Sequence, residues 1–317
     1  MTVAQEEFDA TVGRLNRLSV ERHSDAYADI DWDGLPLDVT DPRLELPAVD
    51  PLAATEWYRA RPPEERARIG CYRYASYMKV GEHFENLLQR GLLLEAVRLD
   101  NGAPEFRYMH HELIEESQHT LMFQEFVNRT GMPVRGMPRR LLRFLEMAVP
   151  FSPVFPTLFF VAVLGGEDPV DHLQRLLLQT EKDLHPLLER IIRIHVGEEA
   201  RHLSFARHFL QRDVPRLGRL RRTVLGLLAP VVLAALTRVM LRPRRDMLRH
   251  FGIPEEVARQ AVESPEGRQL EKDAIAKTRR LLTELGLATR TARAVWRAVG
   301  LWDEPAPAPT PASAGAR

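Results

Sequence analysis

Ile194-His195-Val196-Gly197-Glu198-Glu199-Ala200-Arg201-His202 is the stretch on which the fold turns. Read as a helix, it puts His195, Glu199 and His202 on one face with Leu188, Ile191, Ile192, Ala206 and Phe209. That face is otherwise apolar. Three ionisable groups on a core stripe are costly unless something pairs with them, and a divalent cation does so. The i, i+4, i+7 spacing gathers the three side chains in one place.

A second stretch repeats the arrangement. Glu112, Glu116 and His119 have the same spacing and share a face with Tyr108, Phe123 and Phe126. Glu-x-x-His therefore occurs twice, at Glu116–His119 and Glu199–His202. One such pair is a weak pattern that arises on solvated faces. Two copies on apolar faces match the dimetal four-helix bundle, in which two helices each give Glu-x-x-His and the other two each give one Glu. For the first single Glu, Glu85 lies with Tyr74, Met78, Gly81, Leu88 and Leu92, whereas the alternative, Glu82, lies with Lys79 and Gln89. For the second, Glu167 closes an apolar run. Glu85 precedes Glu116 by 31 residues and Glu167 precedes Glu199 by 32, as in two copies of one helix pair. Four carboxylates balance two divalent ions, which lowers the cost of burying them. Imidazole with carboxylate suits iron or manganese, and zinc less exclusively. Glu112 matches the position of His195 and is a candidate further ligand, an acceptor for a ligand histidine, or a lid.

Working outward, the spacing predicts helices over 66–94, 106–129, from 156, and over 186–212, with two or three more in 215–300. No convincing strand alternation is present. The expected fold is all-α: a ferritin-like four-helix bundle with additional helices and a dimetal site in its core. Residues 1–64 read as a helix and a surface-wrapping segment, with Pro36, Pro42, Pro47 and Pro51. The bundle core falls in 65–212, additional helices in 213–302, and a disordered Pro/Ala tail in 303–317.

The chain has 317 residues and 44 Lys+Arg against 44 Asp+Glu, so a net charge of zero gives no long-range pull toward nucleic acid or anionic membrane. Basic cluster 216–222 and segment 281–298, which loosely resembles a helix-turn-helix, read as solvated helix faces. Cys71 alone cannot form an internal disulfide or a thiolate metal site. Apolar stretches 147–166 and 224–237 contain prolines and read as core helices rather than membrane spans. The acidic N-terminus lacks the order of a signal peptide, so a cytoplasmic location is expected.

These residues resemble the p-aminobenzoate N-oxygenase (AurF-like) family of diiron oxygenases. His195, four residues before Glu199, is the feature that separates this family from most two-histidine bundles. The resemblance implies the ligand set Glu85, Glu116, His119, Glu167, His195, Glu199 and His202, and a catalytic role for Tyr77 near the metals. It implies two iron ions with O2 as cosubstrate, a peroxo-diferric intermediate, and oxidation of an aryl amine through hydroxylamine toward nitro. An O2-dependent hydroxylase or desaturase and a non-catalytic iron-binding bundle are the alternatives. No dinucleotide fingerprint or cysteine cluster is present, so electrons must come from a separate reductase or ferredoxin. A homodimer is the expected assembly.

Overall fold

The computed structural model describes residues 3–302, and the 303–317 tail lies outside the described residues. Helices α1 (Val3–Glu21), α2 (Glu56–Arg59), α3 (Pro63–Ala96), α4 (Pro104–Thr130) and α5 (Arg139–Ala148) come first. They are followed by α6 (Pro156–Thr180), α7 (Pro186–Asp213) and α8 (Arg219–Leu241). The C-terminal part holds α9 (Arg245–Phe251), α10 (Glu255–Glu263), α11 (Pro265–Ala274), α12 (Ala276–Glu284) and α13 (Arg290–Ala298). Among the described residues there is no strand.

The four long helices that carry the motifs all begin on proline: Pro63, Pro104, Pro156 and Pro186. Proline's fixed φ suits the first helical turn, where its missing N–H costs nothing. Helix α4 stops at Gly131, whose φ of 62° takes the left-handed form that closes helices. The four helices form the bundle. Lys79 meets Gln124 and Ser117 meets Gln89, so α3 and α4 run antiparallel. Asp168 meets Arg207 and Gln174 meets His195, so α6 and α7 do too. Helices α3 and α6 come close through Gly166, where an added Cβ would stand 2.2 Å from the Phe84 ring.

Outside the bundle, α1 lies across α4 and α7, and α8 lies along α6 with α13 against it. The proline-rich segment is tied down by a buried ion pair, Arg73 Nε to Asp50 Oδ2 at 2.9 Å. Helix α8 is the one helix among the described residues long and apolar enough to cross a membrane by length and composition; 56% of its apolar window is buried inside the protein. The buried side, including Leu225, Ala229, Leu233 and Leu236, makes it a core helix over that window.

One expectation needs correction. Six helices, not two or three, fill the C-terminal part, because Pro243, Pro254 and Pro265 each start a new one. Helix α5 was not foreseen, since prolines at 138, 150 and 153 crowd its ends. Pro169 does not end α6, which runs on to Thr180. The proline forfeits one helical hydrogen bond, and burial of Leu173 and Leu177 beyond it holds the helix together.

Candidate metal centre

Each bundle helix presents its acid- or histidine-bearing face to the same point. Glu85 comes from α3, Glu116 and His119 from α4, Glu167 from α6, and His195, Glu199 and His202 from α7. None of the seven is more than 3% exposed. Glu116, His119, Glu199 and His202 bring one donor atom each within 4.8 Å of one another. Glu85, His119 and His195 do the same, as do Glu167, His195 and Glu199. All seven residues therefore lie in three overlapping sets. Glu82 is not among them. Its carboxylate pairs with Lys79 Nζ at 2.8 Å on the outer side of α3.

The imidazoles are aimed by a layer of acceptors behind them. His119 Nε2 donates to Glu198 Oε2 at 2.8 Å, and His202 Nε2 donates to Glu115 Oε2 at 2.7 Å. His195 Nδ1 donates to Gln174 Oε1 at 2.7 Å. With those nitrogens engaged, Nδ1 of His119, Nδ1 of His202 and Nε2 of His195 face the cluster, with tautomers assigned from this network. Arg201 Nη2 lies 2.9 Å from Glu115 Oε1 and balances its charge. Thr120 Oγ1 donates to Glu85 Oε2 at 3.1 Å.

Burial dominates the electrostatics. It pushes the Glu85 carboxyl well above the ordinary carboxylate range, and Glu116 adds to the shift. The same holds for Glu167, with Glu199 adding. Burial works against charge at Glu116 too, yet the facing His202 and His119 outweigh it and hold that carboxyl low. His119 and His202 are correspondingly raised despite burial, His119 by Glu116 and Glu198, His202 by Glu199 and Glu116. His195 is driven well below its usual value by burial and by the neighbouring His119.

The donor set fits a pair of cations on one further ground. Both carboxylate oxygens of Glu116, Glu167 Oε1, Glu199 Oε2 and His119 Nδ1 are buried and make no hydrogen bond. Buried acceptors are normally satisfied, and so many orphans at one point suit bound cations. In their imidazole and carboxylate chemistry the donors match what first-row divalent metals take.

The sequence of this chain matches the p-aminobenzoate N-oxygenase AurF family over residues 5–286. The chain belongs to that family. It is also 43% identical over 302 residues to uncharacterised proteins of Mycobacterium bovis and Mycobacterium tuberculosis, covering 94% of this chain and 88% of theirs. In this AurF-family chain the Tyr77 hydroxyl is engaged by residues outside the cluster. The hydroxyl donates to Asp50 Oδ2 at 3.2 Å and the ring lies 4.4 Å beneath the Arg73 guanidinium. Glu112 is buried one turn before Glu116, with Oε2 unpaired and its carboxyl pushed well up by burial.

Helical spacing leaves Gln174, Glu115 and Glu198 off the stripes that carry the two Glu-x-x-His pairs. The signal was present as two acidic doublets, Glu115-Glu116 and Glu198-Glu199. In each, the first acid supports the histidine of the opposite helix and the second faces the cluster. Beside His195 an apolar cavity of about 30 Å³ is lined by Tyr77, Met78, Phe123, Gln174, Leu188 and Met240. The Phe123 and His195 rings stand 5.0 Å apart there.

Proposed function

We propose that this chain is a non-haem diiron monooxygenase that uses O2 and external electrons to oxidise the nitrogen of an aryl amine to hydroxylamine, nitroso or nitro. The observation that carries the reading is the set of orphaned buried donors on Glu116, His119, Glu167 and Glu199. Glu85, Glu116, His119, Glu167, His195, Glu199 and His202 are the ligands in this reading, with iron preferred and manganese able to take the same donors. When bound, the two ions supply together the two electrons that take O2 to the peroxide level. The chain's own residues do the rest. Glu115, Glu198 and Gln174 hold the imidazoles in one tautomer and orientation. Phe123, Met78, Leu188 and Met240 keep water from the side of His195 and offer an aromatic ring an apolar wall. The cavity holds about one water, so an aryl amine enters by displacing the flexible Met78 and Met240 side chains. Tyr77 borders the same cavity and is the candidate catalytic tyrosine.

A separate reductase or ferredoxin supplies electrons in this reading. We place the protein in the cytoplasm without nucleic-acid or membrane partners, with 65–212 as the functional core between the 1–64 and 213–302 segments. The exposed apolar side chains Phe144, Met147, Phe151 and Val154 are the face that a homodimer would cover. Metal analysis and product analysis on a panel of aryl amines test the reading. Close to two irons per chain and O2-dependent loss of the amine are expected. Turnover of aliphatic substrates alone would replace it with a hydroxylase or desaturase, and iron binding without any turnover with a binding bundle.

A further inference from the structure

On the side of α3 away from the metal cluster lies an open cleft of about 810 Å³. Four chain segments build it: α3, the connection after α4, the start of α5, and α9. Lys79, Arg135, Arg139, Arg244, Arg245 and Arg249 line it against one carboxylate, Asp246. In a chain of zero net charge this is a strong local excess. Asp246 is already engaged, since its Oδ2 accepts from the Tyr72 hydroxyl at 3.0 Å and from the Arg135 backbone N–H at 3.2 Å. Lys79 is neutralised by Glu82. Arg135, Arg139, Arg245 and Arg249 are exposed and make no ion pair among the described residues. Arg244 is different: its Nε is buried without a hydrogen bond, 3.5 Å from Asp246 Oδ1.

Unpaired guanidiniums that converge on a concavity repel one another, and a cleft lined by one sign focuses its field outward. Here four arginines, Arg135 and Arg139 around the start of α5 and Arg245 and Arg249 on α9, share one hollow of ligand size. Guanidinium forks match phosphate oxygens two at a time. The same cleft has an apolar part, Pro133, Met137, Pro138 and Leu142, beside the stacked Tyr72 and His250 rings, whose centroids are 5.3 Å apart. We propose that this cleft binds a small phosphate-bearing ligand, with at least two phosphate groups on Arg135, Arg139, Arg245 and Arg249 and an organic part against the apolar wall. The site is separate from the metal centre and does not depend on the oxygenase reading.

Inorganic pyrophosphate is the probe, titrated by calorimetry and followed by thermal melting against sodium chloride at equal ionic strength. Saturable binding and a raised melting temperature beyond the chloride effect are expected. Arg139→Ala/Arg249→Ala should weaken binding about tenfold or more, the equivalent of about 1.4 kcal/mol. Arg135→Ala/Arg245→Ala repeats the test from the other arginines if the first pair misfolds, and far-UV circular dichroism checks that the helical bundle is intact. A chloride response equal to that of pyrophosphate, or undiminished binding in the folded variants, overturns the proposal. Binding of an acidic protein without any pyrophosphate response overturns it as well.

Discussion

His202 Nε2 lies 2.7 Å from Glu115 Oε2, so a cluster-facing imidazole of α7 is held by an acid of α4. The bond has a mirror. His119 of α4 is held by Glu198 of α7 at 2.8 Å. Each half of the internal repeat therefore aims the histidine of the other, and the two helices set the site only as a pair.

Glu198→Gln and Glu115→Gln should each lower metal affinity about 10–100-fold while full loading remains reachable at high iron, as for other acids behind a ligand histidine. Glu199→Ala and Glu116→Ala should instead lose stoichiometry. Chelator-competition titration separates weaker affinity from a missing site. Normal affinity in Glu198→Gln would show that the carboxylate does not steer His119.

Gln174→Leu removes the acceptor on His195 Nδ1 and leaves a buried N–H without a partner, a penalty of about 1–3 kcal/mol. The imidazole is then free to turn its other nitrogen inward. We expect retained iron at the other ligands, weaker total affinity, and an altered optical spectrum of the iron-loaded protein. A spectrum identical to that of the parent protein would count against a positioning role.

Metal binding should strengthen as pH rises. Glu85 and Glu167 have folded-state pKa values raised by burial and by neighbouring carboxylates, and His119 and His202 are raised by their acidic partners. Raised groups contribute stability to the metal-free protein that is complete below their unfolded pKa and is lost as pH climbs through the folded value. Those same protons must leave before a cation binds. His195, held low by burial, already lies neutral near pH 7 and has no proton to release over this range. The gap in melting temperature between iron-loaded and metal-free protein should therefore widen from about pH 5 to 8. A constant gap would refute the linkage.

Gly166→Ala should destabilise the bundle by about 1–3 kcal/mol, because the new methyl would stand 2.2 Å from the Phe84 ring, which must turn within the core or move α3 from α6. Glu85 and Glu167 sit on those two helices, so iron affinity should fall with stability. Denaturant melts and iron titration of the same variant check both.

The sequence by itself determined which faces are buried and what chemistry they carry. Periodicity is a local property of the chain, so Glu116-x-x-His119 and Glu199-x-x-His202 could be placed on apolar stripes without a fold. Glu85 could be preferred to Glu82 because its neighbours at helical spacing are apolar. Prolines at helix starts were equally legible. Only the tertiary structure decided what lies across from each residue. A period fixes a face, but not which neighbouring face meets it or at what height. The crossed bonds of Glu115 and Glu198, the Gln174 support of His195, and the meeting of Arg135 and Arg139 with Arg245 and Arg249 of α9 all depend on tertiary packing. Helix register is set by packing such as Phe84 over Gly166, between residues 82 positions apart.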